Sequence, residues 1–196
     1  MGRRPRAIRN ASSTSCWKSA IPKILERAIS RSLVVLAWSS YEAMAGDLWA
    51  SAINFAPQLF LPRALGKGIN MRTLKKVCLN AEDAIGQSLQ RRMNMTSVTE
   101  IREAFEAIFA PETLPFLSIP GNERLVELEM TRHLLMHKGG IVDNEFRQKT
   151  GLRDAPIGKP LPLSIERASQ LANAGIDQGR RLLQFVEGAL GDTRQS

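Results

Sequence analysis

The chain has 196 residues, 43% of them hydrophobic and 23% charged. That composition excludes wholesale disorder and suits one domain with a real core, or a domain plus an arm. Lysine and arginine number 27 against 19 acidic residues, a net charge of +8, which favours polyanionic partners such as nucleic acid or an anionic membrane face.

The two cysteines, Cys16 and Cys78, are far apart and form no CxxC. Neither a disulfide scaffold nor a cysteine-based zinc site is expected, and a reducing compartment, the cytoplasm, fits. The most apolar run, residues 33–38, is far short of the ~18 to 20 residues that span a bilayer. The N-terminus has arginines but no long apolar core, so it is not read as a secretory signal.

Residues 1–19 read as a basic, flexible arm. Arg3, Arg4, Arg6 and Arg9 precede a Ser/Thr run, and no acidic residue appears before Glu26. A solvated tail is the plain reading. An arm that contacts nucleic acid is the sharper one, and an organelle transit peptide is the third. Residues 20–190 read as one domain, followed by a polar tail over 191–196.

Pro22 suits a first helical turn, and the pattern from there to Phe55 predicts one long helix. Ile21, Leu25, Ile29 (or Ala28), Val35, Trp38, Met44, Leu48, Trp49 and Ile53 recur at helical spacing. Such a helix reaches about 50 Å, which leaves room for a kink or break. Pro57 and Pro62 are expected to end it, with a loop at Ala64–Gly68. That loop lacks the glycine-lysine-hydroxyl order of a phosphate loop. Residues 70–94 predict one or two amphipathic helices carrying Arg72, Lys75, Lys76, Arg91 and Arg92.

Thr96 or Ser97 can cap the next element, and Ser97 with Glu100 three residues on is a capping-box pattern. It opens a helix whose stripe is Val98, Ile101, Phe105, Ile108 and Phe109. A loop over 111–121 follows. Asn122 caps a helix over 123–138, which Gly139-Gly140 stops in left-handed geometry. A short helical turn is expected near Asn144–Lys149, then a Pro/Gly-rich loop. Ser164 caps the last helix. Its predicted stripe is Ile165, Ala168, Ala172, Ile176 (with Gly175), Gly179, Leu183 and Val186. The small residues at 168, 172, 175 and 179 would let a neighbouring helix approach closely. No segment reads as a strand and no repeat appears. The expected architecture is an all-α bundle of four to five helices.

The segment from Glu129 to Asp143 stands apart. It holds both histidines of the chain and crowds Glu129, Arg132, His133, His137 and Lys138 into ten positions of an otherwise apolar helix. Such crowding points to chemistry, although ion-pair networks produce it too. Glu129, His133 and His137 are four apart and share a stripe. Two histidines so spaced, with a carboxylate, can ligate zinc. Against that, the chain has no third histidine, no nearby cysteine and no H-E-x-x-H, so no metal or other cofactor is expected. The plain alternative pairs Arg132 with Glu129 and leaves both histidines as satisfied interface residues. Glu42, on the first long helix, is a solvated residue or the partner of a cation from 129–138.

Arg132-His133-Leu134-Leu135-Met136-His137 resembles the signature of the HEPN superfamily, an Arg-x4-His string near the end of a late helix of an all-α bundle. Lys138-Gly139-Gly140-Ile141-Val142-Asp143 is similar to the H-x-G-G-x-V-D extension of a subset called RiboL-PSP-HEPN. Val34–Glu42 resembles that subset's first core helix with its glutamate, and Leu161–Glu166 resembles its lead-in to the last helix. The likeness covers residues 25–190 loosely, and only 129–143 is specific. Asn is common after the arginine, and here His133 stands there.

The resemblance implies a metal-independent endoribonuclease, many of whose relatives are toxins or defence effectors, acting as a homodimer with a composite site. It also implies an alternative, a non-catalytic member that binds RNA or nucleotides or regulates. A cognate antitoxin or regulatory protein is an implied partner. RNA cleavage without metal needs a base for the 2′-hydroxyl proton, a cation for the phosphorane and an acid for the 5′-oxygen. Histidine, ordinarily titrating at ~6.5, serves as base or acid. Arginine stays charged and grips phosphate oxygens. His137 is therefore assigned proton transfer and Arg132 the phosphate, with His133 auxiliary. Lys138, Glu129 and Glu42 are the candidate substrate-binding residues. Residues five apart differ by about 140° on an ideal helix. Arg132 and His137 meet only if the helix end distorts, the arginine wraps, or a partner chain supplies one of them.

Overall fold

The computed structural model describes residues 13–65, 85–109 and 122–193. These residues form α1 Ser13–Phe55, α2 Pro57–Leu65, α3 Ile85–Gln90, α4 Val98–Ile108, α5 Glu123–His137, α6 Asn144–Thr150 and α7 Ile165–Thr193. The all-α class is as expected, but the described residues hold seven helices rather than four or five. The only sheet-like pairing among them is an isolated bridge between Ile141 and Pro160. The first twelve residues of the arm, Gly66–Gly68, the basic positions Arg72, Lys75 and Lys76, Cys78, and the loop over 111–121 lie outside the described residues.

Helix α1 is unbroken over 43 residues and starts nine residues before Pro22, which sits inside it. A proline there removes one hydrogen bond and crowds the carbonyl four residues back. The stretch around it gains little burial in return, since residues 21–29 are all exposed. The expected core positions Ile21, Leu25 and Ile29 are therefore outside the core. The buried stripe begins further on and runs Val34, Trp38, Tyr41, Ala45, Trp49, Ile53, a three-and-four spacing that keeps one helical face inward. Residues 57–65, expected to be a break and a loop, form α2 instead. Pro57 occupies its first position, where a missing N–H costs nothing. Pro62 lies inside it, and the buried side chains of Phe60 and Ala64 offset the lost bond.

Helix α3 lies against the last turns of α1. The Asn54 side chain accepts from the Gly86 N–H at 2.7 Å and donates to Gln87 at 2.7 Å. A Cβ on Gly86 would collide with the backbone carbonyl of Ala50, whereas one on Gly179 would press on the flexible tip of Met44 and lie at ordinary contact distance from Tyr41. Gly86→Ala is thus expected to cost about 1–3 kcal/mol through overpacking and Gly179→Ala far less. Chemical denaturation of the two variants checks the contrast.

Ser97 caps α4, its hydroxyl accepting from Glu100 N at 3.2 Å. The Glu100 carboxylate reaches back one residue further than a capping box requires, to the N–H and hydroxyl of Thr96. On α7 the Ser164 hydroxyl accepts from Arg167 N, as the sequence suggests. The α7 stripe is largely as expected, with Ala168, Ala172, Gly175, Gly179 and Val186 buried, but it is widened on one side and cut back on the other. Leu171, Gln178 and Leu182 are buried, while Ile176 and Leu183 are exposed. The small residues do admit neighbours: a Cβ on Gly175 would touch Leu128 of α5, and Gly179 abuts Met44 of α1. Helices α1, α5 and α7 pack together, with α3, α4 and α6 around them. Among the described residues no helix is long and apolar enough to cross a membrane.

Candidate functional site

Helix α5 is the central element, with Leu125, Val126, Glu127, Leu128, Met130, Thr131 and Leu134 all buried. It contacts α1, α4, α6 and α7. Asn122 takes the N-cap position without a side-chain capping bond. At the other end Lys138 N and Gly140 N both donate to the Leu134 carbonyl, at 3.0 and 2.8 Å. Gly139 and Gly140 have φ of 61° and 80°, values that L side chains rarely adopt. The extension then turns back and pairs with the proline-rich loop. Val142 N donates to Lys159 O, Gly158 N to Val142 O, and Leu161 N to Gly140 O. Asp143 caps α6 by accepting from Phe146 N at 2.9 Å. The whole H-K-G-G-I-V-D segment is thus held by backbone bonds, which fixes the end of α5 where His137 sits.

Two acidic residues of α5 have structural tasks. Buried Glu127 forms a bidentate pair with Arg167 of α7, with Nε–Oε1 at 2.8 Å. Glu129 accepts from Val98 N at 2.9 Å and so caps α4 from another helix. Burial raises the Glu129 carboxyl above its ordinary value, against the Val98 hydrogen bond that lowers it. This is a different task from the substrate contact assigned to Glu129 on sequence.

A raised folded pKa means that the folded chain holds its proton longer than the unfolded chain. The Glu129 contribution is therefore full below the ordinary carboxylate pKa and is lost as pH rises through the folded value. Glu129→Gln keeps an acceptor for Val98 without the charge. It is expected to leave stability unchanged or raised at neutral pH and to flatten its pH dependence. Glu129→Ala is expected to cost about 1 kcal/mol for the lost cap. Urea unfolding of both variants and the native chain from pH 4 upward, in steps of about one unit, checks this.

The remaining candidate residues of the helix, Arg132, His133 and His137, divide between two places. Half-buried Arg132 lines a cavity of about 330 Å³ together with Glu42, Ser39 and Gly46 of α1, Gln90 of α3, and Met93, Met95 and Thr96. Its Nε is buried with no hydrogen-bond partner. The sequence-predicted neighbour Glu42 thus shares its cavity. Among the described residues no ion pair within 4 Å joins Arg132 to Glu42 or to Glu129. The rings of His133 and exposed His137 lie one turn apart, with centroids at 4.9 Å and planes tilted by 45°. His133 lies toward α6, where the Glu145 carboxyl is held below its usual range chiefly by Lys149 and in smaller part by His133. Exposed Lys138 has its Nζ 3.8 Å from Asp143. Among the described residues no three His, Cys, Asp or Glu side chains converge as a metal site.

The structure therefore places Arg132 and Glu42 on one cavity, which His137 does not line, and brings the rings of His133 and His137 together. Gln90, Met93, Met95 and Thr96 come from segments more than 30 residues before Arg132. No local pattern marks them, because the cavity exists only once α3 folds onto α1. The chain matches no protein-family model, and comparison with curated proteins and with solved structures finds no match either.

Proposed function

We propose that the chain is a metal-independent endoribonuclease of HEPN type, acting as a homodimer. His137 transfers protons, Arg132 holds the phosphate, and His133 and Lys138 assist. The observation that carries this reading is the set of groups on α5 left without structural partners. Glu127 and Glu129 are bonded to other helices. The Arg132 Nε is not bonded, and the two imidazoles sit together near the helix end beside the glycine turn. The likeness of residues 129–143 to the HEPN signature supplies the substrate class.

In this mechanism one imidazole takes the ribose 2′-hydroxyl proton as the oxygen attacks phosphorus. The guanidinium stabilises the charge that gathers on the phosphorane. A protonated imidazole then gives its proton to the departing 5′-oxygen. The products are a 2′,3′-cyclic phosphate and a 5′-hydroxyl. Arg132 and His137 point about 140° apart on one helix, so the partner chain supplies one of them to each site. A toxin or defence-type role, restrained by a cognate antitoxin or regulatory protein, is the setting the resemblance implies.

One observation favours a second reading. The cavity of Arg132 and Glu42 contains no imidazole, an arrangement suited to a non-catalytic protein that binds RNA or a nucleotide. Incubating the purified protein with a mixed RNA pool in EDTA and mapping the product ends separates the two. Cyclic-phosphate ends are expected. Binding without cleavage would favour the second reading, and cleavage only after zinc is added would sink the metal-independent mechanism.

A further inference from the structure

Helix α1 carries a row of three cations, only one of which the fold uses. Lys23, Arg27 and Arg31 are spaced four residues apart on its N-terminal half. That spacing sets them on one stripe, about 6 Å apart along the axis. Together with Glu26 and the Pro160–Pro162 loop they line a groove of about 310 Å³. Three cations there face one carboxylate. Among the described residues none of the three has an ion-pair partner within 4 Å. Burial, and then the neighbouring Arg27, lower the Arg31 guanidinium below its ordinary value.

The groove is also placed. The Arg31 guanidinium reaches the glycine turn at the end of α5, where a Cβ on Gly140 would lie 2.9 Å from Nη2. Arg31 has a structural use there, since a cation is favourable at a helix C-terminus. Lys23 and Arg27 are exposed and have no such use. Their row leads away from the turn beside His137 along the outer face of α1.

We infer that the Lys23–Arg27–Arg31 groove binds the phosphate backbone of single-stranded RNA and guides it toward the His137 end of α5. Flexible cations in line contact successive phosphates without reading bases, so the groove contributes affinity and register rather than sequence preference. The inference shares with the proposed function only the premise that RNA is the ligand; it does not depend on cleavage.

The test is fluorescence anisotropy of a 2′-O-methyl RNA oligomer, which lacks the attacking hydroxyl, binding the full chain over a salt series. Lys23→Gln/Arg27→Gln is compared with Arg180→Gln/Arg181→Gln, which removes the same charge from the exposed face of α7. The groove variant is expected to bind about tenfold more weakly at low salt. Its log–log salt slope should be shallower by about 1.4, for two lost phosphate contacts on a single strand. The α7 variant should stay close to the native chain. Equal affinity and slope in the two variants would overturn the groove, as would failure of the native chain to bind the oligomer. Cleavage by the native chain with an unchanged KM in Lys23→Gln/Arg27→Gln would overturn the groove and leave the ribonuclease standing. Groove-dependent binding with no cleavage of ordinary RNA would do the reverse.

Discussion

Arg132→Ala and His137→Ala are each expected to lower RNA cleavage by about 10²- to 10⁴-fold, and a mixture of the two inactive proteins is expected to regain activity. The reason is geometric. Arg132 lines the cavity shared with Glu42, while the ring of His137 lies against that of His133 one turn away. If each site takes its arginine from one chain and its histidine from the other, a mixed dimer holds one intact site and one doubly damaged site. Random exchange between symmetric dimers then restores about a quarter of native activity. Cleavage measured after the two variants are unfolded and refolded together gives the answer. A mixture as inactive as its parts would mean that both groups act within one chain or that the site assignment is wrong. Loss of cleavage with RNA binding retained in each single variant separates catalysis from docking.

Trp49→Ala is expected to be the most destabilising single change in the core. Trp49 is fully buried on α1, and its indole N–H donates to the Ala104 carbonyl of α4 at 2.8 Å. Alanine removes the side chain that fills the space between these helices, at about 3–5 kcal/mol. It also removes the indole hydrogen bond to a buried carbonyl, at about 1 kcal/mol more. Against a total stability of roughly 5–15 kcal/mol, that should lower Tm by about 10 °C or more for a chain of this length. Trp49→Phe keeps most of the packing and loses the hydrogen bond, so it should fall well short of that loss. Calorimetry on both variants checks the order. A small loss for alanine would mean that α1 and α4 are held together mainly by other contacts.

The sequence made the local events legible. The Ser97 and Ser164 caps, the glycine turn after His137 and the long α1 all depend on residues within a few positions of one another, and all are found in the structure. Where the reading failed, the deciding atoms were distant. Residues 57–65 carry two prolines and look like a break, yet Phe60 and Ala64 find a core to enter and α2 forms. Ile21, Leu25 and Ile29 continue the apolar period of α1, but no described element covers them and they stay exposed. On α7 the stripe of Ala168, Ala172, Gly175, Gly179 and Val186 is buried as expected, flanked by one edge with Ile176 and Leu183 and another with Leu171 and Leu182. Which of the two turned inward depended on where α1 and α5 lay.

The candidate site divides in the same way. The sequence alone determined that Arg132, His133, His137 and Lys138 crowd the end of one helix, and that glycines stop it there. Helical spacing alone predicts that the arginine and His137 diverge. Only the tertiary structure decided that Glu129 is taken up as the cap of α4 and Glu127 as the partner of Arg167. It also decided that Glu42, ninety residues before Arg132, shares its cavity. Caps and periodicity are written in neighbouring side chains. The partner of a buried carboxylate is chosen by whichever distant N–H or guanidinium the packing of helices brings within hydrogen-bond reach.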